Sequence, residues 1–341
     1  ERPEVLHNLF LIEEPEAHLH PQLQGLVHSF FEKKHQNSAS IQVIYTSHSP
    51  TLVSKIGLNA INLLYEDNFS IKSHPFADSG LSAQESAYLE RFLDVTKSQM
   101  FFGKGVIFVE GISEALLIPE MAKCLDRSLD KYAVEVVNVA GTSFKPFIKI
   151  LDTTNGKNFA KASIVTDDDR CIDKDDSATY IGKDLDFDDD ISGVHEKLTS
   201  GTPSERYMNM EELCSGKDIA LCGATKTLEY ELAKHPNNIA YLIDVIKTEF
   251  PKVGPRLEEV VNAETSVHNK AVRIWLFLRA RDKSKAQIAQ GLCNIIKNQN
   301  DAVQKRCLVS RPFMVPGYIK RSIYAVTEEV SCDEGVDPPT E

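Results

Sequence analysis

The chain has 341 residues, enough for two domains that each bury a sizeable core. Hydrophobic residues make up 42% and charged residues 26%, which excludes a largely disordered, collagen-like or coiled-coil chain, and no apolar run approaches the roughly 20 residues of a membrane helix. Net charge is −12, yet Ser266–Thr327 carries twelve Lys or Arg against Asp282 and Asp301 alone, a local +10 that leaves −22 elsewhere. A basic face beside acidic pockets fits a metal-dependent enzyme acting on a polyanion, and fits a solvated charged surface equally well.

The opening residues Glu1–Asn8 are polar and acidic, unlike a signal peptide, so a soluble, cytoplasmic chain is expected. Leu6–Ile12 reads as a strand ending in Glu13-Glu14-Pro15. A helix follows, with Leu23, Leu26, Val27, Phe30 and Phe31 at helical spacing. Ile41–Tyr45 is a second strand, and Ile61–Tyr65 with Phe69–Ser73 a hairpin around Glu66-Asp67-Asn68. Asp78–Ser86 reads as a loop and Ala87–Phe101 as a helix. From Gly105 the pattern becomes β-α-β-α-β: strand Val106–Val109 ending in Glu110-Gly111, helix Ser113–Asp126, strand Val134–Val139, helix Phe144–Leu151, and strand Ala162–Thr166 ending in Asp167-Asp168-Asp169. That order predicts an α/β fold with a parallel sheet and carboxylates at its C-terminal edge. Lys174–Asp190 is Asp- and Gly-rich and reads as a mobile loop. Glu211–Asn300 looks mainly helical, Ser310–Tyr324 packs across the domain, and the tail from Glu328 is acidic and frayed. The seven cysteines, Cys124, Cys171, Cys214, Cys222, Cys293, Cys307 and Cys332, are odd in number and lack a C-x-x-C pair, so they read as reduced, buried thiols.

Two constellations carry chemistry. The first is Leu9–Pro21, an apolar strand ending in two acids. Glu13 can hold Mg²⁺ and Glu14 can polarise an attacking water, while the next strand delivers His48 as a γ-phosphate sensor. These residues resemble the ATP-binding cassette ATPases of the RecF, SMC and OLD (overcoming lysogenization defect) kind. The resemblance makes Glu13 and Glu14 the Walker B pair, with Glu13 in place of the more usual Asp, Pro15–His20 the D-loop region, and His48 the switch histidine. A phosphate-cradling G-x-x-x-x-G-K-[ST] loop occurs nowhere in the sequence. Residues 1–100 are therefore expected to be the C-terminal part of an ATPase domain lacking its Walker A region, an incomplete ATP and Mg²⁺ half-site without ATP turnover of its own.

The second constellation is Glu110, Glu114 on the next helix, and the pair Asp167 and Asp169 two positions apart on a strand end. Alternation puts the pair on one side of the backbone. Such a cluster repels itself unless divalent cations neutralise it, and hard oxygen ligands favour Mg²⁺ or Mn²⁺. Two ions about 4 Å apart stabilise the attacking and leaving oxygens of a phosphodiester. A hydrophobic strand with Glu-Gly and a later strand with Asp-x-Asp resembles the Toprim domain, and ATPase followed by Toprim resembles the OLD family of nucleases, including Gabija-type ATP-dependent endonucleases. By that resemblance Glu229, in Lys226-Thr227-Leu228-Glu229, is a further metal ligand, with Glu231 the less favoured choice. Lys285 is the lysine that stabilises developing charge, with Lys283 as its rival and Ser284 as helix cap. Ile288, Leu292 and Ile295 mark the buried face of that helix.

The resemblance implies a Toprim nuclease domain over residues 101–327, with a helical insertion at about 190–282, and an acidic tail at 328–341. It implies a DNA endonuclease using two ions, regulated by ATP in the full-length parent, in bacterial anti-phage defence or DNA processing. The implied partners are DNA, a second copy of the chain and a UvrD-like helicase, with no membrane. A topoisomerase would need a tyrosine nucleophile, a primase would need a zinc module, and an inert ATP-switch DNA-binding module would keep the fold without the chemistry.

Overall fold

The computed structural model describes residues 8–36, 40–67, 69–94, 97–153, 158–170, 181–182, 184–281 and 284–327. The described residues fall into two compact units: those up to Gly103 together with Lys145–Ala160, and Lys104–Phe144 together with those from Lys161 onward.

The first unit opens with β1 (Asn8–Ile12), α1 (Pro21–Gln36) and β2 (Ile41–Tyr45). β1 and β2 pair in parallel, from Asn8 opposite Ile41 to Ile12 opposite Tyr45. The apolar residues that set their periodicity, among them Leu9, Leu11, Leu23, Leu26 and Phe30, are nonetheless exposed. After α2 (Pro50–Val53) comes the antiparallel hairpin of β3 (Asn62–Asp67) and β4 (Ser70–Pro75). α3 (Ala83–Phe92) starts earlier than expected because Ser82 and Glu85 cap it reciprocally. It also stops earlier. Asp94 accepts the Lys97 N–H at 2.9 Å and starts a separate 3₁₀ turn over Lys97–Phe101.

The second unit begins with β5 (Gly105–Val109), α4 (Ile112–Cys124) and β6 (Val134–Asn138). The chain then contributes α5 (Lys145–Leu151) to the first unit. Its Phe147 ring meets Phe92 at 4.9 Å, and Lys149 pairs with Glu85 at 2.7 Å. This segment was expected within the later domain; its apolar face instead completes the core around Phe76 and Leu89.

The remaining elements are β7 (Lys161–Asp167), α6 (Val194–Ser200), α7 (Glu205–Cys214), β8 (Ile219–Ala224), α8 (Leu228–Ala233), α9 (Pro236–Glu249), α10 (Gly254–Ala263), α11 (Val267–Arg279), α12 (Lys285–Gln304) and α13 (Gly317–Thr327). The sheet order is β6-β5-β7-β8, parallel throughout. All five residues of β5 are buried, the pattern of a parallel strand covered on both faces. A mixed α/β fold with a parallel sheet flanked by helices is thus observed.

β8 is the element the sequence hides. It lies inside a stretch that reads as helical, and Ile-Ala-Leu-Cys-Gly-Ala shows no alternation. Pairing with β7 from Ala162–Ile219 to Asp167–Ala224 makes it a strand. Buried Ser163 and Ser322 hydroxyls, 2.8 Å apart, tie β7 to α13. Of the described cysteines, Cys214 and Cys222 are buried, whereas Cys124 and Cys307 are exposed and Cys293 is half-buried, so burial was expected too broadly. Cys171, Cys332, Asn68, the tail from Glu328, and most of Lys174–Gly182 lie outside the described residues.

Gly223 in β8 sets how closely α7 approaches the sheet. A Cβ there would lie 2.5 Å from the Tyr207 ring. Gly223→Ala is expected to cost about 1–3 kcal/mol by overpacking, measured as a lower melting temperature. An unchanged melting temperature would mean that Tyr207 relocates freely.

Candidate active site

The parallel register builds the site. Val109 lies opposite Val165, so Glu110, one residue beyond β5, lands beside Thr166, and Asp167 ends the neighbouring strand. Glu110 Oε1 accepts from the Thr166 hydroxyl, from the Asp167 N–H at 3.3 Å and from Arg206 Nη1 at 2.9 Å. Gly111 is the N-cap of α4, and a Cβ there would lie 3.1 Å from Glu114 Oε2, so the Glu114 carboxylate folds back over the turn.

Glu110, Glu114, Asp167, Glu229 and Lys285 line one cavity of about 370 Å³. Its walls are the ends of β5 and β7 and the first turns of α4, α8 and α12, helix ends that favour negative charge. A second cavity of about 360 Å³ is lined by Asp167, Asp169, Lys226, Trp275, Arg279 and Lys285. Asp167 and Lys285 therefore belong to both. Asp169 takes a left-handed backbone (φ 50°), leaving the strand at this point.

The electrostatics are those of a crowded set of acids. Burial pushes the Asp167 carboxyl well above the usual range, and the charges of Glu110, Glu114, Glu229 and Asp169 push it further. Burial, with Glu229 and Glu110 beside it, raises Glu114 to about 7, against the opposing pull of Lys285. The buried Tyr318 hydroxyl, within the field of Asp167 and Glu114, has no hydrogen-bond partner among the described residues. Every acidic donor here is a carboxylate oxygen, the donor set that suits Mg²⁺ or Mn²⁺. As they stand, no three of these groups among the described residues close into a chelate, so binding an ion requires the side chains to draw together. An orphaned hydroxyl and self-repelling oxygens fit that requirement.

The α8 acids separate clearly. Glu231 Oε1 accepts the Thr225 N–H at 3.1 Å, and its Oε2 pairs with Lys234 at 3.0 Å, whereas Glu229 lines the cavity. Lys285 is the first residue of α12. Lys283 lies outside the described residues. Ser284 stands at the N-cap but its side chain makes no capping bond, a correction to the expected cap. The buried face of α12 is Ile288, Ala289, Leu292 and Ile296, with Ile295 only half-buried.

Three cations were not anticipated. Arg206, on α7, bridges Glu110 and Asp169; nothing in its sequence context distinguishes it from a surface arginine. Lys226 and Arg279 flank Trp275 at 5.6 and 5.4 Å from the ring centre. Lys226 directly precedes the Thr-Leu-Glu motif, a signal that was available.

In the first unit the pairing of β1 with β2 brings Glu14 and His48 together, His48 Nε2 lying 3.6 Å from Glu14 Oε1 with both side chains exposed. Glu14 has a left-handed backbone (φ 41°), and its N–H donates to Thr46 Oγ1 at 3.2 Å. Glu13 is exposed on the bend just beyond β1. Glu16 is buried and accepts from Ser47. An exposed acid facing an imidazole can orient a water between them.

A parallel sheet with acids at its central strand ends frames this site. A family model described as "Overcoming lysogenization defect protein-like, TOPRIM domain" matches residues 101–169, and the "AAA ATPase domain" model matches residues 2–53. Residues 101–169 are thus similar to OLD-like Toprim domains and residues 2–53 to AAA ATPase domains. Endonuclease GajA of Bacillus cereus (strain HuB5-5) is 28% identical over 224 residues, 59% of this chain and 30% of that protein. The uncharacterized protein YbjD of Escherichia coli (strain K12) is 26% identical over 141 residues, 41% of this chain and 25% of that one. The matches thus span about a third or less of these relatives. The C-terminal region of the Xanthomonas campestris pv. campestris OLD protein aligns with 22% identity and a TM-score of 0.40, over 67% of this chain and 94% of that one. The corresponding region from Burkholderia pseudomallei aligns with 24% identity and a TM-score of 0.40, over 66% and 97%.

Proposed function

We propose that this chain is the nuclease-bearing part of a metal-dependent DNA endonuclease regulated by an ATPase domain. The observation that carries this reading is the cavity where Glu110, Glu114, Asp167 and Glu229 meet Lys285 at the ends of adjacent parallel strands. Glu110, Glu114, Asp167, Asp169 and Glu229 would hold Mg²⁺ or Mn²⁺, two ions in all. Bound there, the ions would supply a lowered water pKa and charge neutralisation at the phosphodiester. The chain's own residues do the rest. Lys285 donates hydrogen bonds to the phosphate as charge develops in the transition state. Lys226 and Arg279 give the second cavity a cationic wall against which a neighbouring phosphate lies, and Arg279 is fixed by donating to the carbonyls of Gly182 and Leu185. Arg279 and Lys285 belong to the basic segment Ser266–Thr327.

Glu13, Glu14 and His48 are read as an ATP and Mg²⁺ half-site that controls cleavage in the full-length parent. The similarity to an endonuclease supports a nucleic-acid substrate; DNA in particular, and a setting in anti-phage defence, rest on the family resemblance. A dimer and a UvrD-like helicase rest on the family resemblance. No helix among the described residues is long and apolar enough to cross a membrane. No tyrosine among the described residues lines either cavity. Tyr318 is buried, and Tyr230 is buried with its hydroxyl 3.2 Å from His195 Nδ1.

The test is cleavage of supercoiled and linear DNA by this chain with Mg²⁺, Mn²⁺, Ca²⁺ or chelator, without ATP. Nicking or cutting with Mg²⁺ or Mn²⁺ that chelator abolishes is the expected result. A folded chain that binds no metal and cuts under none of these conditions would favour the inert-module reading instead.

A further inference from the structure

Arg206 holds the two halves of the acidic site in a fixed relation. Its Nη1 donates to Glu110 Oε1 and to Thr166 Oγ1, both at 2.9 Å. Its Nη2 donates to the Asp167 carbonyl at 2.5 Å and to Asp169 Oδ2 at 3.1 Å. Glu110 lines the first cavity, Asp169 lines the second, and Asp167 lies between them in both. Arg206 is not among the residues lining either cavity. It takes one oxygen of Glu110 and leaves Oε2 outside the clamp.

The arginine is itself anchored. Ser204 caps α7 by accepting the Tyr207 N–H at 3.3 Å, and its own N–H donates to the Asp168 carbonyl at 3.0 Å, inside the Asp167–Asp169 turn. The missing side chain at Gly223 lets Tyr207 lie against β8. The start of α7 is thus fastened to the same strand end whose acids Arg206 holds.

We propose that Arg206 is the positioning residue that fixes the distance between Glu110 and Asp169, and with it the spacing of the two ions that the acids would hold. This rests on the two-ion reading above. A planar guanidinium reaches both acids and the intervening carbonyl at once; an ammonium is a point charge and does not. Its positive charge also offsets part of the repulsion among Glu110, Asp167 and Asp169 before any ion arrives.

The experiment is Mn²⁺ titration of the whole chain by calorimetry and electron paramagnetic resonance. Wild type is compared with R206K, R206Q and R206A, and the R206A protein is also titrated with millimolar methylguanidinium. Circular dichroism checks that each variant is folded. Wild type is expected to bind two Mn²⁺ with a spin-coupled signal. R206K and R206Q are expected to lose the coupled signal and to bind the second ion about 10–100-fold more weakly, the usual cost of removing a group that orients metal ligands. Methylguanidinium is expected to restore part of that affinity to R206A. Folded variants with wild-type affinity and coupling would overturn the inference, and tighter Mn²⁺ binding would make Arg206 a competitor of the ions. A wild type that binds one ion would overturn the spacing role alone. A wild type that binds none would overturn the metal reading itself, and this inference with it.

Discussion

Asp167→Asn is expected to abolish metal-dependent cleavage while making the metal-free protein more stable. Asp167 lines both cavities, and the charges of Glu110, Glu114, Glu229 and Asp169 all act on it. With its carboxylate gone, neither ion site keeps its shared oxygen donor, and the loss in cleavage rate should be about 10³-fold or more. Without metal, the native state must either hold that buried charge among like charges or take up a proton to neutralise it, and both cost stability. An amide of the same shape removes that repulsion, so the second unit should melt at least about 2–4 °C higher, the shift produced by about 1 kcal/mol in a unit of this size. Stability rises where function is lost, as is common for sites built from mutually repelling groups. The measurement is a pair of melts, with chelator and with saturating Mn²⁺. Wild type should gain stability from Mn²⁺ by mass action and Asp167→Asn should gain almost none. A variant that is destabilised in chelator would mean that Asp167 is held by favourable partners rather than strained by its neighbours.

The sheet and its acids were legible because a few residues fix them locally. Val106–Val109 is a continuous apolar run ended by Glu-Gly, and Ala162–Thr166 is a β-branched-rich run ended by Asp-Asp-Asp; in parallel pairing such runs deliver their last residues to one edge. Glu229 and Lys285 were visible through short motifs, and the structure gathers both at that edge. What sequence hid was non-local. β8 is a strand only because β7 pairs with it. α5 reads as part of the β-α-β alternation, yet its apolar face completes another core. α3 was misjudged for a local reason: Ser82 and Glu85 carried a capping box in what read as a loop. Arg206 gave no signal at all, since its role depends on where Gly223 lets α7 sit. The Leu23–Phe31 spacing reported a helix correctly but said nothing of burial, since Leu23, Leu26 and Phe30 are exposed.

Glu114 should make the behaviour of the second unit depend on pH near neutrality. In the metal-free native state its carboxyl is raised to about 7, while an unfolded chain releases that proton near the usual value of about 4.3. Between those values the native state binds more protons than the unfolded state. Stability contributed by this group is therefore present at low pH and is lost as pH rises, about 4 kcal/mol in all once pH passes 7. Glu114→Gln stays neutral throughout. In chelator it should match wild type near pH 4.5, melt higher at pH 8, and show a flatter profile between. Metal reverses the balance, because an ion needs the carboxylate: below pH 7 each unit of pH costs about tenfold in affinity per proton displaced. Asp167, also raised, steepens that dependence in wild type. Glu114→Gln should reduce the slope of log affinity against pH by about one and weaken Mn²⁺ binding at pH 8. Parallel melting profiles for the two proteins from pH 4.5 to 8 would show that Glu114 ionises normally, and that the crowding of acids in this cavity is relieved by the protein itself before any cation enters.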